Sequence, residues 1–375
     1  MKMDKMFVDV SVIQTMPPNC ANRDDTGSPK TCMYGGIRRA RVSSQSWKRA
    51  MRLYFQGRVD ETELGIRTTK IVQLVADRIV EIDPSVAPGK AAKMAQDVLE
   101  KAGIKVSAKG KSKKKDEGEE EVPESAYLFF MSYKQSVNMA KLALKGGYDK
   151  KAVQEALNSG HGIDTALFGR MVADDPSLNT DASAQVAHAI STHRVENEYD
   201  YYTAVDERSP EDNVGAGMIG TVEFNTSTMY RYATVAVHDL AGQLLEKEAT
   251  ARAVQEFVRA FVMSIPTGKQ NTFANFSVPY AVLIAVRKDR PVSLAPAFET
   301  PVQPARDGGG YNAASVAAMV GYQKEACRDF VEEPQAVFVV GNGLGELGEP
   351  VSIDQAIDEL GELVSREFRA WPLCC

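Results

Sequence analysis

Apolar and β-branched residues alternate along MFVDVSVI (6–13), which predicts a half-buried strand. Pro17, Pro18, Gly27, Pro29, Gly35 and Gly36 then punctuate what reads as a long loop. IRRARV (37–42) predicts a short strand and residues 44–56 a helix. Apolar spacing near the helical period predicts further helices over 64–82 and 89–102, and 125–158 returns to a helix-like pattern. Residues 185–206 and 219–238 are strand-rich, separated by the turn-rich SPEDNVGAGMIG. A strongly amphipathic helix is expected over 240–264, ending at Pro266, with more helices near 311–332 and 353–367. AVLIAV (281–286) and AVFVV (336–340) are apolar runs of strand length, as buried strands require. Strands open and close the chain while its first half carries mostly helices, so the expected class is α+β, a sheet domain with a helical insertion.

Residues 107–124, SAKGKSKKKDEGEEEVPE, break the pattern. Lysines are followed by acids with almost nothing to bury, and the block reads as a disordered, solvated insertion. A length of 375 residues implies two or three domains. The N-terminus makes a poor signal peptide and no run reaches the length of a membrane span, so the expected location is cytosolic. Five scattered cysteines, Cys20, Cys32, Cys327, Cys374 and Cys375, without a CxxC pair, fit reduced thiols rather than a disulfide framework or a zinc site.

A net charge of −6 argues mildly against nucleic acid, but clustering matters more than the sum. Between Asp25 and Asp60 there is no acid, while Lys30, Arg38, Arg39, Arg41, Lys48, Arg49, Arg52 and Arg58 all fall in that window. In SSQSWKRAMRLY, Ser44 is a good N-cap. Trp47, Ala50, Met51 and Tyr54 form one apolar face, with Gln45, Lys48, Arg49 and Arg52 opposite. A basic helix face is usually only solvated. Here the helix follows a Gly-Gly loop and a strand with three arginines, and its N-terminus offers free N–H groups to an anion. Ser43, Ser44 and Gln45 add short-range donors. Such groups hold phosphates and sugars without reading bases.

NRDD (22–25), GGIRRARVSSQSWKRAMR (35–52), TALFGRM (165–171), AHAISTHRV (187–195), YYTAVD (201–206) and YRYATV (230–235) together resemble the CasC family of the RAMP superfamily. These are the backbone subunits of the type I-E CRISPR surveillance complex, Cascade. The resemblance implies a hand: a modified ferredoxin-like, RRM-related palm (1–58 and 181–375), helical fingers (59–180) and an extended thumb hairpin near 197–222. It implies a non-catalytic subunit without cofactors that oligomerises along the CRISPR RNA beside other Cascade subunits and presents the guide to target DNA. The resemblance makes Ser43, Gln45 and Lys48 palm contacts to the RNA backbone, Arg23 a contact from the preceding loop, and Lys269, in TGKQNTFANF, another from the palm. Arg38, Arg39, Arg41, Arg49 and Arg52 complete the expected RNA surface. Met171 is similar to a wedge beside a displaced nucleotide, and Tyr202 to a thumb aromatic that interrupts the guide–target helix. Taken alone, either side chain would more readily be assigned to core packing; both could replace lost stacking without selecting a base.

Competing chemistries are weaker. Asp24 and Asp25 could bind a divalent metal, and the alternative reading is a metal-dependent RNA endonuclease centred on them, but two carboxylates without a third ligand are a thin signal. His188 and His193 could suggest acid–base RNA cleavage but read as ordinary hydrogen-bonded histidines. Gly343, Gly345 and Gly348 spell GxGxxG after a strand, yet Pro350 follows where a dinucleotide site needs a helix.

Overall fold

The computed structural model describes residues 4–107, 122–172, 175–205, 216–305 and 308–368. In chain order come β1 (Phe7–Asn19), β2 (Thr31–Tyr34), β3 (Ile37–Val42), α1 (Ser44–Phe55), β4 (Gly65–Thr68), α2 (Ile71–Ile82), α3 (Pro88–Lys101), β5 (Val106–Ser107), β6 (Glu124–Ser125), β7 (Phe129–Ser132), α4 (Tyr133–Lys145), α5 (Lys150–Leu157) and α6 (Ile163–Phe168). There follow β8 (Ala184–Val186), β9 (Ala189–Ser191), β10 (Glu198–Val205), β11 (Ala216–Ala236), α7 (Val237–Leu244), α8 (Lys247–Met263), α9 (Gln270–Phe273), β12 (Ala281–Arg287), α10 (Asn312–Asp329), β13 (Ala336–Gly341) and α11 (Ile353–Phe368). The class is mixed α+β. Contacts divide the chain into two compact units: Met1–Tyr54 with Gln185–His238 and Val254–Cys375, and Phe55–Ala184 with Asp239–Ala253.

The first unit is built on a sheet of order β13-β12-β1-β11-β9-β3-β2, with β10 and β8 also paired to β11. β1 lies antiparallel between β11 and β12, and β11 is antiparallel to β9. Side chains alternate across β1. Val8, Val10 and Val12 are buried on one face, and Ile13 packs on the other with Tyr230, Leu283, Phe298, Val316 and Met319. Both faces are covered, which is why β12 is buried at every position and its sequence is apolar from Ala281 to Val286, before the buried Arg287. The second unit packs α2, α3, α4 and α5 around Val75, Ile79, Val98, Leu99, Met139, Val153 and Leu157.

Several boundaries differ from expectation. Pro17 and Pro18 lie inside β1, not in a loop. β12 pairs with β1 only as far as Ile13, and the β11 ladder breaks register between Met16 and Asn19, so the prolines sit where no ladder N–H is needed. The helix expected over 64–82 begins as β4, which pairs with β7, before α2. The helix expected over 240–264 is split at Leu245, whose φ of +61° is the left-handed value that stops a helix. Residues 239–253 pack with the helical unit, whereas the sequence reading places them in the palm. β10 and β11 form the arms of the expected hairpin, from Glu198↔Phe224 to Val205↔Ala216. Most of the 107–124 block and the hairpin tip lie outside the described residues. No helix among the described residues is long and apolar enough to cross a membrane.

Candidate nucleic-acid interface

Helix α1 turns its apolar stripe inward. Trp47, Ala50 and Met51 are buried, Tyr54 is half-buried, and Phe55 extends the stripe by one more turn. Gln45 and Arg49 are exposed, while Lys48 and Arg52 are half-buried at the flanks of the polar face. Burial holds the Lys48 ammonium below its usual range, because charge is costlier away from water. The Ser43 carbonyl accepts from the Ser46 and Trp47 amides at 3.0 and 3.2 Å, so Ser43 rather than Ser44 is the N-cap residue. The first turn carries no acid to oppose an anion.

The loop ahead of α1 closes back on it through one side chain. Asn22 Oδ1 accepts from the Ser43 amide at 2.8 Å. The Asn22 carbonyl accepts from Lys30, and the Lys30 carbonyl from Arg41. Asp24 shapes the exposed turn: its Oδ1 accepts from the Thr26 amide, the Thr26 hydroxyl and the Ser28 amide. Those bonds, the Thr26 hydroxyl first, hold its carboxyl below the usual range. Arg23 stands exposed on this turn, while Arg23 and Pro29 bridge its base.

A second loop reaches the same place. A Cβ on Gly268 would sit 2.2 Å from the Ala21 carbonyl oxygen, so only glycine permits this approach. The next residue, Lys269, takes a left-handed φ of +50°. The buried Cys20 thiol beneath feels both Arg23 and Lys269, although burial dominates and raises its pKa. The structure thus gathers Gln45 and Lys48 on α1, the buried N-cap Ser43 ahead of them, Arg23 on its loop and Lys269 on the next, from three separated stretches of sequence.

The β3 arginines divide. Arg38 is exposed and lines a groove of about 780 Å³ with Arg194, Asn197 and Tyr199. Arg41 is half-buried, its Nε donating to the Thr31 carbonyl and its Nη1 3.0 Å from His188 Nδ1. Arg39 corrects the sequence reading. It is fully buried and donates to the carbonyls of Tyr34, Ser191 and Phe298, so it braces the sheet instead of facing a ligand. The strand period of two puts Arg38 on the opposite face from Arg39, while Arg41 shares the face of Arg39 and is only half-buried near the strand's end.

Tyr202, on β10, lies across Gly220 of β11, whose added Cβ would meet its hydroxyl at 2.4 Å. Met171 belongs to the helical unit and is 84% exposed. Its neighbour Arg170 is buried and donates to the carbonyls of Leu178, Phe130 and Leu157 and to Gln135 and Asn158, so the methionine follows a rigid anchor. His193 is a structural residue. Its Nε2 accepts from the Thr228 amide, its ring stacks on Tyr311 at 3.7 Å, and Nδ1 is left to donate to the Arg194 carbonyl. Among the described residues no group of three His, Cys, Asp or Glu side chains could hold a metal ion.

Sequence reasoning missed Asn22, Gly268 and Arg194. Asn22 opens the NRDD motif, whose charges draw attention away from the residue that ties the loop to the helix. Gly268 has no sequence signal beyond being glycine.

The family model for CT1975-like protein matches residues 8–366. No curated protein matches the sequence. Among solved structures, a chain of a "CRISPR RNA-guided surveillance complex, pre-nicking" is 33% identical, covering 94% of this chain and 100% of its own, with a TM-score of 0.78. A chain of a second "CRISPR RNA-guided surveillance complex" is 30% identical, covering 94% and 99%, with a TM-score of 0.67.

Proposed function

The chain belongs to the CT1975-like family, and from that premise we propose that it is a CRISPR-RNA-binding backbone subunit of a type I-E Cascade in the cytoplasm. Several copies lie along one guide RNA beside other subunits, present it to target DNA, and catalyse no reaction. One observation carries the reading: the N-terminus of α1, the Arg23 turn and the Lys269 loop converge through Asn22 and Gly268. Their donors are amides, hydroxyls and cations, which suit phosphates and sugars and leave bases free for pairing.

Other features support it. The four strands β12-β1-β11-β9 are antiparallel neighbours, with α1 between β1 and β9 in sequence and α8 between β11 and β12. That is the order of a ferredoxin-like sheet, widened by β13 on one side and by β3 and β2 on the other. The β10–β11 ribbon exposes Tyr199, Tyr201, Met218 and Ile219, apolar groups that favour a partner over water. The non-catalytic reading is supported by Asp24, whose Oδ1 is committed to its own turn.

The test is to mix the purified protein with labelled guide-length RNA and Mg²⁺, then follow mass by light scattering and RNA length on a gel. Multi-subunit complexes on intact RNA are expected. Cut RNA would favour the endonuclease alternative, and no association would overturn the proposal.

A further inference from the structure

Beneath α1 lies a guanidinium that solvent does not reach. Arg231, on β11, is 1% exposed. Its Nη1 donates to Gln14 Oε1 and its Nη2 to the Phe261 carbonyl. The guanidinium carbon stands 3.8 Å from the centroid of the Trp47 ring and 4.7 Å from that of Phe261. All these partners are neutral, and burial lowers the pKa of Arg231 to about 9. Of the other deeply buried arginines of this sheet, Arg287 has the Asp9 carboxylate at 3.3 Å, while Arg39, like Arg231, is held by neutral acceptors. A buried cation with no carboxylate is costly, and an apolar side chain of similar volume is often tolerated in its place. The cost is reduced here because Phe261 lies in the last turn of α8, where carbonyls lack helical partners and the helix dipole favours a cation.

Arg231's partners give it a function. Trp47 is the buried anchor of α1, the helix that carries Lys48. Gln14, which accepts from Arg231, uses its Nε2 to donate to the Ser277 carbonyl at 2.8 Å and to the Ser277 hydroxyl at 3.2 Å. Ser277 closes the loop that begins with Gly268 and Lys269. Phe261 lies in the last turn of the helix that leads into that loop. Arg231 thus touches, directly or through one side chain, two of the three elements that bring cations to the interface, α1 and the Lys269 loop.

We propose that Arg231 is a positioning residue which, through Trp47 on one side and the Gln14–Ser277 link on the other, fixes the basic face of α1 and the Lys269 loop in the relative placement that lets both hold one RNA strand. This rests on the RNA-backbone reading above. It assigns to YRYATV a residue that never touches the ligand.

Two variants test it. Arg231→Met keeps volume and removes the cation. Gln14→Glu retains an acceptor for Arg231 and loses the donor to Ser277. Arg231→Met should stay folded with a midpoint lowered by the two acceptors it leaves unpaired, Gln14 Oε1 and the Phe261 carbonyl, and Gln14→Glu should melt near the wild type, while in both the affinity for a guide-length single-stranded RNA falls roughly tenfold. The log–log salt slope should not change, because no phosphate contact is removed. Lys269→Ala should weaken binding less in either background than in the wild type, the non-additivity expected of coupled residues. Wild-type affinity in a folded Arg231→Met overturns the proposal. If that variant does not fold, wild-type affinity in Gln14→Glu with an undiminished Lys269→Ala effect overturns it equally. If Lys48→Ala and Arg49→Ala leave the salt slope unchanged in the wild-type background, the RNA-backbone reading itself has failed; a flattened slope there beside neutral Arg231 and Gln14 variants sinks only this inference.

Discussion

Arg38 and Arg39 are adjacent on β3 and should respond to the same substitution in opposite ways. In Arg39→Met, the carbonyls of Ser191 and Phe298 lose donors at 3.1 and 2.8 Å, and that of Tyr34 loses a weaker one at 3.3 Å. A buried acceptor left unpaired costs about 1–3 kcal/mol, so the two stronger bonds set a range of about 2–6 kcal/mol. Relief from burying a charge offsets part of this, leaving a net loss of about 2–4 kcal/mol. At roughly 2–4 °C per kcal/mol, the midpoint should fall by roughly 4–16 °C. Arg38→Met removes an exposed side chain, and its stability should change by no more than about 0.5 kcal/mol. Its RNA affinity should weaken, with the log–log salt slope reduced by about 0.7 if one phosphate contact is lost. Calorimetry and fluorescence anisotropy across a salt series measure both quantities on both proteins. An Arg39→Met protein that melts like the wild type and loses salt slope like Arg38→Met would refute the assignment of Arg39 to the fold.

Deleting residues 109–122 should leave the melting temperature and RNA retention near wild type, since β5 and β6 already pair at the base of the block; loss of either would give it a role. With Asp24→Ala and Asp25→Ala together, RNA should stay uncut, as is expected of the wild type too, but affinity should drop because the turn carrying Arg23 loses its organising acceptor; Mg²⁺-dependent cleavage by the wild type alone would establish the endonuclease reading. Replacing residues 206–215 with a short Gly-Ser turn should spare folding but reduce the mass of complexes on guide-length RNA, and full-mass complexes would mean that the thumb tip does not join subunits. His161 accepts from Gln135, and burial followed by the nearby Arg170 lowers its pKa from 6.5 to about 4. The unfolded chain therefore binds the proton more readily, so the stabilisation is complete above pH 6.5 and is lost progressively between 6.5 and about 4. It amounts to at most about 3 kcal/mol, and His161→Gln should flatten the dependence of urea midpoints on pH over that window.

The apolar stripe of α1 was legible because a helix buried on one side writes its period into the sequence, and Trp47 and Met51 are buried as that period requires. Both continuous apolar runs near the C-terminal end became strands. Failures came where tertiary pairing overrides local pattern. The GIRT segment of β4 is followed by a helical pattern, and only its ladder with β7 makes it a strand. The prolines of β1 read as loop because nothing local reveals that one side of the strand is unpaired there. Within the interface, positive charge was visible but its direction was not. Arg39 and Arg38 are identical as letters, and the strand's alternation separates them only once the buried side is known. Asn22, Gly268 and Gln14 carry no charge, and their importance lies in which distant backbone they reach.

The pairing of Val106 with Ser125 and of Ser107 with Glu124 has a practical consequence. Whatever lies between these ends leaves and re-enters the helical unit at the spacing of neighbouring strands, about 5 Å. Closing a longer chain between fixed ends costs only about 0.6 kcal/mol for each doubling of its length. The position is therefore a port for cargo. A fluorescent or affinity domain whose own termini lie close together can replace the block, labelling every copy of the subunit while leaving α1, the Arg23 turn and the Lys269 loop in their native sequence.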